Sequence, residues 1–225
     1  MTTWKHAGPD GKDPTLVHVK PKVPAAPAWR FTASGLSRAE ECLGSVLLDS
    51  YSESGAYAAS GQAVDTFVQT SKTAGRAAAL AAAPEDMRKY LAAMNLDAIP
   101  DDAEFQAAWA LNAITGEVRR IPGRTAGYPD DMGAEWIFGT ADIVYLRAGV
   151  AVVDDLKWGS YTDGRDPADD LQLGFYGIAA AATLGTDDAR IGFLRAGWDS
   201  VLRPDAVDLD MFSLAALRAR IVGIW

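Results

Sequence analysis

The chain reads as an α/β (α+β) protein, a small mixed β-sheet flanked by helices, with a helical N-terminal half. Three observations predict it. Apolar residues between about 34 and 114 recur at helical spacing. Between about Glu135 and Lys157 the pattern changes to β-branched residues alternating with period two around Arg147-Ala148-Gly149, a turn signal. From Asp166 onward a helix, a strand and a helix follow in order.

The elements are expected as follows. Residues 1–33 form a basic, Pro-rich arm, since Pro9, Pro14, Pro21, Pro24 and Pro27 favour extended chain over a packed element. The remaining residues, 34–225, form one domain. Thr32 or Ser34 can cap a helix from about Leu36 to Leu48, with Cys42 and Val46 facing a core. A second helix begins near Gly61 and runs through Phe67 and Val68, and Ala77 to Ala83 extends it or makes a short helix of its own. Pro84-Glu85-Asp86 starts another through Met87, Tyr90, Leu91 and Met94. A further helix is expected from Asp102 to about Ile114, burying Phe105, Trp109 and Leu111. Glu117 to Ile121 alternates weakly and reads as the first strand, ahead of the hairpin. Asp166-Pro167 reads as an N-cap and first helical residue, with Asp169 and Asp170 favourable to the dipole and Gly185 as the stop. A strand from Arg190 to Ala196, an extended piece near Val207 and a helix from Met211 complete the order. The chain ends on Ile-Val-Gly-Ile-Trp without a polar cap, which points to truncation or to docking on a partner.

Composition narrows the function classes. The 225 residues are 49% hydrophobic and 23% charged, ordinary for a soluble globular protein. The most apolar helical stretch, Leu171 to Leu184, is alanine-rich and preceded by acids, so no membrane span is read. The N-terminus lacks the apolar stretch of a signal peptide, and a cytoplasmic location is the default. Cys42 is the single cysteine, which excludes an internal disulfide, a cysteine-based zinc site or an Fe–S cluster held within one chain. The net charge of −9 argues against a protein that coats nucleic acid, but not against an enzyme that cuts it. Residues 1–30 carry +3, leaving −12 for the rest, so a basic arm stands ready to lie along phosphates or to tether a partner. Both histidines, His6 and His18, lie in that arm, which weakens a Ser/His/Asp hydrolase reading. No Walker A or GxGxxG string is present.

The hairpin carries the chemistry. A turn centred on Ala148-Gly149 pairs residues so that Asp142 sits opposite Asp155, with Cβ atoms roughly 4.5–5.5 Å apart. Lys157 leaves the same face as Asp155, and Asp154 the other. Two facing carboxylates destabilise a sheet unless something positive lies between them, and oxygen-only ligation suits Mg²⁺ or Mn²⁺. Asp155 follows the apolar run Val150-Ala151-Val152-Val153, where an unpaired charge is costly.

The string Gly139-Thr140-Ala141-Asp142-Ile143-Val144 with Val152-Val153-Asp154-Asp155-Leu156-Lys157-Trp158-Gly159 resembles the Asp…(Asp/Glu)-x-Lys signature of the PD-(D/E)XK nuclease superfamily, and more closely its RecB/Cas4/phage-exonuclease branch. Gln172-Leu173-Gly174-Phe175-Tyr176 resembles that branch's Gln-x-x-x-Tyr helix motif, a spacing that puts both side chains on one helix face. Trp158-Gly159 stands where relatives often have Lys-Thr-Gly, and Cys42-Leu43-Gly44-Ser45 is similar to the Cys-Pro-x-Ser of many phage members, without its proline. The branch often carries Gly-x-x-x-His on its second helix; here the matching string is Gly61-Gln62-Ala63-Val64-Asp65, and Asp65 keeps oxygen ligation open. Glu104 and Glu117 both lie where some relatives carry an additional carboxylate, and the sequence does not choose between them. The resemblance covers roughly Ser34 to Tyr176.

The resemblance implies a restriction-endonuclease-like core and a metal-dependent DNA nuclease, an exonuclease of the phage-recombination or Cas4 kind. Asp142, Asp155 and the Leu156 carbonyl, with Asp65, would hold Mg²⁺ or Mn²⁺. Lys157 would act on the attacking water, and Gln172 and Tyr176 would hold the substrate strand. DNA is the implied partner, with a homo-oligomer or a recombination protein beside it, in the host cytoplasm if the gene is a phage's. Arg119, Arg120 and Arg124 are candidates for phosphate contacts, and Trp136, Trp158 and Tyr161 for stacking on bases. The rival from another class is a non-catalytic nuclease-fold scaffold or inhibitor that binds a protein; a metal-dependent phosphoesterase acting on small nucleotides is a third reading.

Overall fold

The computed structural model describes residues 31–42, 56–122, 128–129, 131–159 and 166–224. The proline-rich segment 1–30, Arg124 and Tyr161 lie outside them, as do residues 43–55, on which the second half of the first expected helix falls.

Within the stretch expected to belong to the arm, Phe31–Thr32 forms a two-residue strand (β1). A 3₁₀ turn at Ala33–Gly35 leads into helix α1, Leu36–Glu41, which buries Leu36 and Ala39. Cys42 is already extended and is exposed, so it faces solvent where a core position was expected. Helix α2, Ala56–Thr73, starts five residues ahead of Gly61. Gly75, at φ 92°, breaks it from α3, Arg76–Ala82, so the alanine run makes its own helix. Helix α4, Glu85–Ala93, follows Pro84 as expected. Its C-terminal carbonyls are held by the Arg76 guanidinium, which donates to the carbonyls of Leu91, Ala92 and Met94 at 3.2, 2.7 and 2.8 Å.

The segment expected as a helix from Asp102 to Ile114 is instead a strand, β2, Glu104–Asn112. It runs between β3 (Val118–Arg120) and β4 (Trp136–Arg147), antiparallel to both. Because both of its faces are covered, Ala107 to Leu111 are all buried, and a strand buried on both sides shows no alternation to separate it from a helix. Glu117 to Ile121 contributes only the short edge strand β3, which comes third along the chain.

β4 turns into β5, Val150–Trp158, through Ala148 and Gly149, whose φ values of 50° and 82° are those of a two-residue primed turn. The ladder pairs Ile143 with Asp154, Tyr145 with Val152 and Arg147 with Val150, the register expected from the sequence, but it ends there and does not include the expected Asp142–Asp155 pair. Helix α5, Leu171–Leu184, ends on left-handed Gly185 as expected but starts five residues later than Asp166. Asp170 is its cap, accepting the Leu173 amide at 3.0 Å, while Asp166 caps a separate turn by accepting from Ala168. An acid that accepts a backbone amide occurs at both positions, from two residues on at Asp166 and three at Asp170, and the apolar run begins only at Leu171. α5 carries the chain over the sheet to β6 (Ala189–Ala196), parallel to β5; β7 (Leu202–Leu209) returns antiparallel, and α6 (Met211–Ile224) closes the order.

The result is a mixed α/β architecture with a mostly antiparallel open sheet flanked by helices. Strands run β3-β2-β4-β5-β6-β7 among the described residues, and β1 lies parallel to β4 against Ile137 and Phe138. One core joins the sheet to α5 and α6 through Trp109, Val153, Phe175 and Leu217. The other joins the opposite face to α2–α4 through Phe67, Leu91, Ile143 and Leu156. The outer strand β7 is polar: Arg203, Pro204 and Asp205 are exposed, and Asp208 and Asp205 pair with Arg190 and Arg195 of β6. No described helix is long and apolar enough to cross a membrane.

Candidate functional site

The central hairpin builds the site from β4 and β5. One step beyond the Ile143–Asp154 pair, the ladder gives way to a side-chain contact: the Leu156 amide donates to Asp142 Oδ2 at 2.9 Å. Asp155 is buried and forms an ion pair with Lys157, whose side chain is partly exposed. The expected separation of the two neighbouring aspartates holds. Asp154 accepts from the Tyr145 hydroxyl at 3.2 Å within the buried part of the sheet. Burial, with Asp154 beside it, pushes the Tyr145 hydroxyl up to about 12.

The other β4 neighbour supplies a residue the sequence did not flag. Gln106 of β2 donates through Nε2 to Asp142 Oδ1 at 3.3 Å. It lies at φ 55°, a left-handed conformation rarely adopted by a residue other than glycine. The β2–β4 ladder pairs Phe105 with Ile143 and Ala107 with Ala141, but no pair joins Gln106 to Asp142 between them. Residues two apart in a regular strand share a face. Here Phe105 and Ile143 pack with the α2–α4 core, whereas Ala107 and Ala141 pack with the α5–α6 core. The face alternation therefore slips in both strands at the level of Gln106 and Asp142. A left-handed glycine would have signalled the irregularity in the sequence; a glutamine inside an apolar run did not.

The helices complete the cluster. α5 places Gln172 one turn from Tyr176, and the Gln172 amide donates to the Tyr176 hydroxyl at 3.1 Å. Burial raises the pKa of that hydroxyl, and the charges of Asp155 and Asp142 raise it further. α2 brings Asp65 into the same field. Its pKa is raised to about 7, first by burial and then by Asp142 and Asp155, with Lys157 opposing. Asp142 is raised to about 6 by burial and by Asp155, and the Leu156 amide, Lys157 and Gln106 oppose the shift. Thus Asp65, Asp142, Asp155 and Lys157, drawn from three elements, lie within reach of one another's charge, and Asp142 and Asp155 also act on Tyr176 of α5.

Other candidates lie elsewhere. Glu104 pairs with Arg120, and Glu117 with Arg119 at 2.7 Å, so both acids are engaged with β3. Arg119 and Arg120 also sit over the rings of Trp136 and Trp109, with centroid distances of 4.6 and 4.7 Å. Trp136 is buried in a third small core with Phe138. Trp158 packs edge-on with Tyr90 and Trp198, centroids 6.3 and 5.1 Å away.

The donor set suits a hard cation. Asp65, Asp142 and Asp155 offer only oxygen, and the fold holds them where they oppose one another's ionisation, with Lys157 as the compensating charge. Among the described residues, no group of three or more His, Cys, Asp or Glu is gathered closely enough to hold a metal ion as it stands. These features define a mixed α/β protein with a partly buried acidic cluster on its central hairpin. No family model and no curated protein matches the chain. It is similar to a solved structure described as "Crystal structure of SSO0001" over 84% of each chain, at 16% identity and a TM-score of 0.29.

Proposed function

We propose that the chain is a Mg²⁺- or Mn²⁺-dependent deoxyribonuclease of the PD-(D/E)XK kind, hydrolysing phosphodiester bonds as an exonuclease of the phage-recombination or Cas4 type. One observation carries the reading. Residues as distant in sequence as Asp65, Asp142, Asp155 and Tyr176 share one electrostatic neighbourhood, with Lys157 paired to Asp155 inside it. A solvated acidic hairpin would not gather them. A sheet in which α5 follows the Asp-x-Lys strand and leads to a parallel neighbour suits a restriction-endonuclease-like core.

On this reading Asp142 and Asp155, with Asp65 and the Leu156 main chain, would hold one or two divalent ions. Such an ion, when bound, polarises the scissile phosphate and lowers the pKa of a bound water toward neutrality. Lys157, an ammonium paired with Asp155, orients the attacking water and offsets the negative charge that develops on the phosphorus oxygens. Gln172, half-buried, holds the substrate strand, and the buried Tyr176 braces it from the α5 side by accepting its amide hydrogen bond. The test is digestion of linear, nicked and circular DNA with Mg²⁺ or Mn²⁺, comparing the unaltered protein with Lys157→Ala. Loss of cleavage with folding retained supports the assignment; full activity of the variant on linear duplex overturns it.

A second reading, a non-catalytic nuclease-fold scaffold or inhibitor of a protein partner, is favoured by the absence of a close-set metal-binding group among the described residues. Calorimetric titration with Mn²⁺ separates the two, since the scaffold binds none.

A further inference from the structure

The Gln106–Asp142 level of the sheet combines three departures from regular structure. The ladder lacks a pair there, both strands exchange the faces that their side chains cover, and Gln106 occupies a left-handed conformation. A left-handed non-glycine residue within a strand is retained only where its surroundings over-determine it, and such strain gathers at functional sites. At this point in the sheet, the backbone arrangement brings the Gln106 amide to Asp142 Oδ1, while the Leu156 amide takes Oδ2. The carboxylate is thereby gripped from both neighbouring strands. Without Gln106, one oxygen would lose its described side-chain donor and the carboxylate could rotate about its bond to the chain.

We infer that Gln106 is a positioning residue for Asp142: the irregular backbone at this level directs its amide to fix the carboxylate plane used in cation binding. This inference rests on the metal-dependent reading of the same site. It concerns a residue outside the Asp…Asp-x-Lys and Gln-x-x-x-Tyr strings, on a strand that those motifs do not include.

Gln106→Gly separates strain from positioning, because glycine adopts φ 55° freely but carries no amide side chain. The unaltered protein and the variant are compared by thermal unfolding in EDTA, by calorimetric titration with MnCl₂, and by cleavage of linear duplex DNA. The thermal midpoint of Gln106→Gly should equal or exceed that of the unaltered protein. Its Mn²⁺ affinity should fall about tenfold or more, the usual range for losing a group that orients a metal ligand. The value of kcat should fall with it, while KM for DNA stays unchanged. Should glycine prevent folding, Gln106→Asn carries the same test: asparagine tolerates the left-handed region, and its amide is one methylene shorter. Equal Mn²⁺ affinity in the unaltered protein and a folded variant overturns the positioning role alone. Absence of Mn²⁺ binding by the unaltered protein overturns the metal-dependent reading together with it.

Discussion

Gly139 of β4 lies directly beneath α5, and alanine at this position should weaken the whole domain. A Cβ built there would lie 2.6 Å from Phe175 Cε1, 2.8 Å from Tyr176 Cε1 and 2.9 Å from the Ala33 Cβ. All three neighbours are buried, at 0%, 3% and 1% exposure, so neither ring can swing into solvent. Relief requires α5 to rise from the sheet and carry Tyr176 and Gln172 away from the aspartates. Over-packing of a tight core costs about 1–3 kcal/mol, and three simultaneous clashes place Gly139→Ala near about 3. For a chain of this size that lowers the thermal midpoint by about 6–12 °C. Gly174→Ala, on α5 itself, is the control. Its new Cβ would meet only the flexible end of Leu217, at 3.2 and 3.3 Å, while a helical position gains about 1 kcal/mol on replacing glycine by alanine. Its midpoint should stay level or rise by about 2–4 °C. Urea unfolding followed by tryptophan fluorescence, together with thermal scans, measures both. If Gly139→Ala is as stable as the unaltered protein, or the two variants shift alike, the close α5–β4 approach is not what limits this core.

Asp154→Asn and Asp155→Asn should divide cleanly. The first should keep its acceptor for Tyr145 and leave DNA cleavage intact, and the second should abolish cleavage; comparable losses in the cleavage assay would contradict the two-face arrangement. With divalent ions chelated, stability should rise as pH falls from about 7 toward the ordinary aspartate range. The Asp65 carboxyl, raised to about 7, binds its proton more tightly folded than unfolded, and urea midpoints against pH should show a shallower rise in Asp65→Asn. Ala148→Asn should stabilise the hairpin by about 0.5–1 kcal/mol, since asparagine suits the left-handed first turn position, and an unchanged urea midpoint would count against a primed turn. Glu40→Gln, which breaks the ion pair tying α1 to α6 through Arg220, should cost at most about 1 kcal/mol, and the cost should shrink in high salt.

The hairpin was legible because a two-residue turn dictates pairing. Once Ala148-Gly149 is placed, Asp154, Asp155 and Lys157 have their faces assigned, whereas Asp142 lies beyond the last ladder pair, where the face alternation slips. Gln172 and Tyr176 were legible through their helical spacing, and the structure adds the hydrogen bond between them. β2 was not, because alanines and a tryptophan buried on both faces carry no period, and tertiary pairing overrides their helical leaning. Gln106 was lost with it: a segment read as a helix offers no cross-strand neighbour, and the left-handed position carries none of the usual glycine signal. Asp65 was visible only as a departure from a motif. Its participation depends on how α2 meets the sheet, which no local spacing encodes. The start of α5 was misplaced because Asp166 and Asp170 both cap, and only the second precedes the apolar run.

The polar outer strand β7 limits how the molecule can grow. Pro204 has no amide hydrogen to offer an incoming strand, and the acids at 205 and 208 are already matched to arginines on β6. A chain laid against this edge would meet an interrupted row of donors and side chains committed elsewhere. Continuous extension of the sheet through β7 is therefore disfavoured, which leaves the short edge strand β3 and the helical or loop surfaces for self-association or partner capture. The hairpin aspartates lie well inside that edge, two strands from β7 on β5 and three on β4.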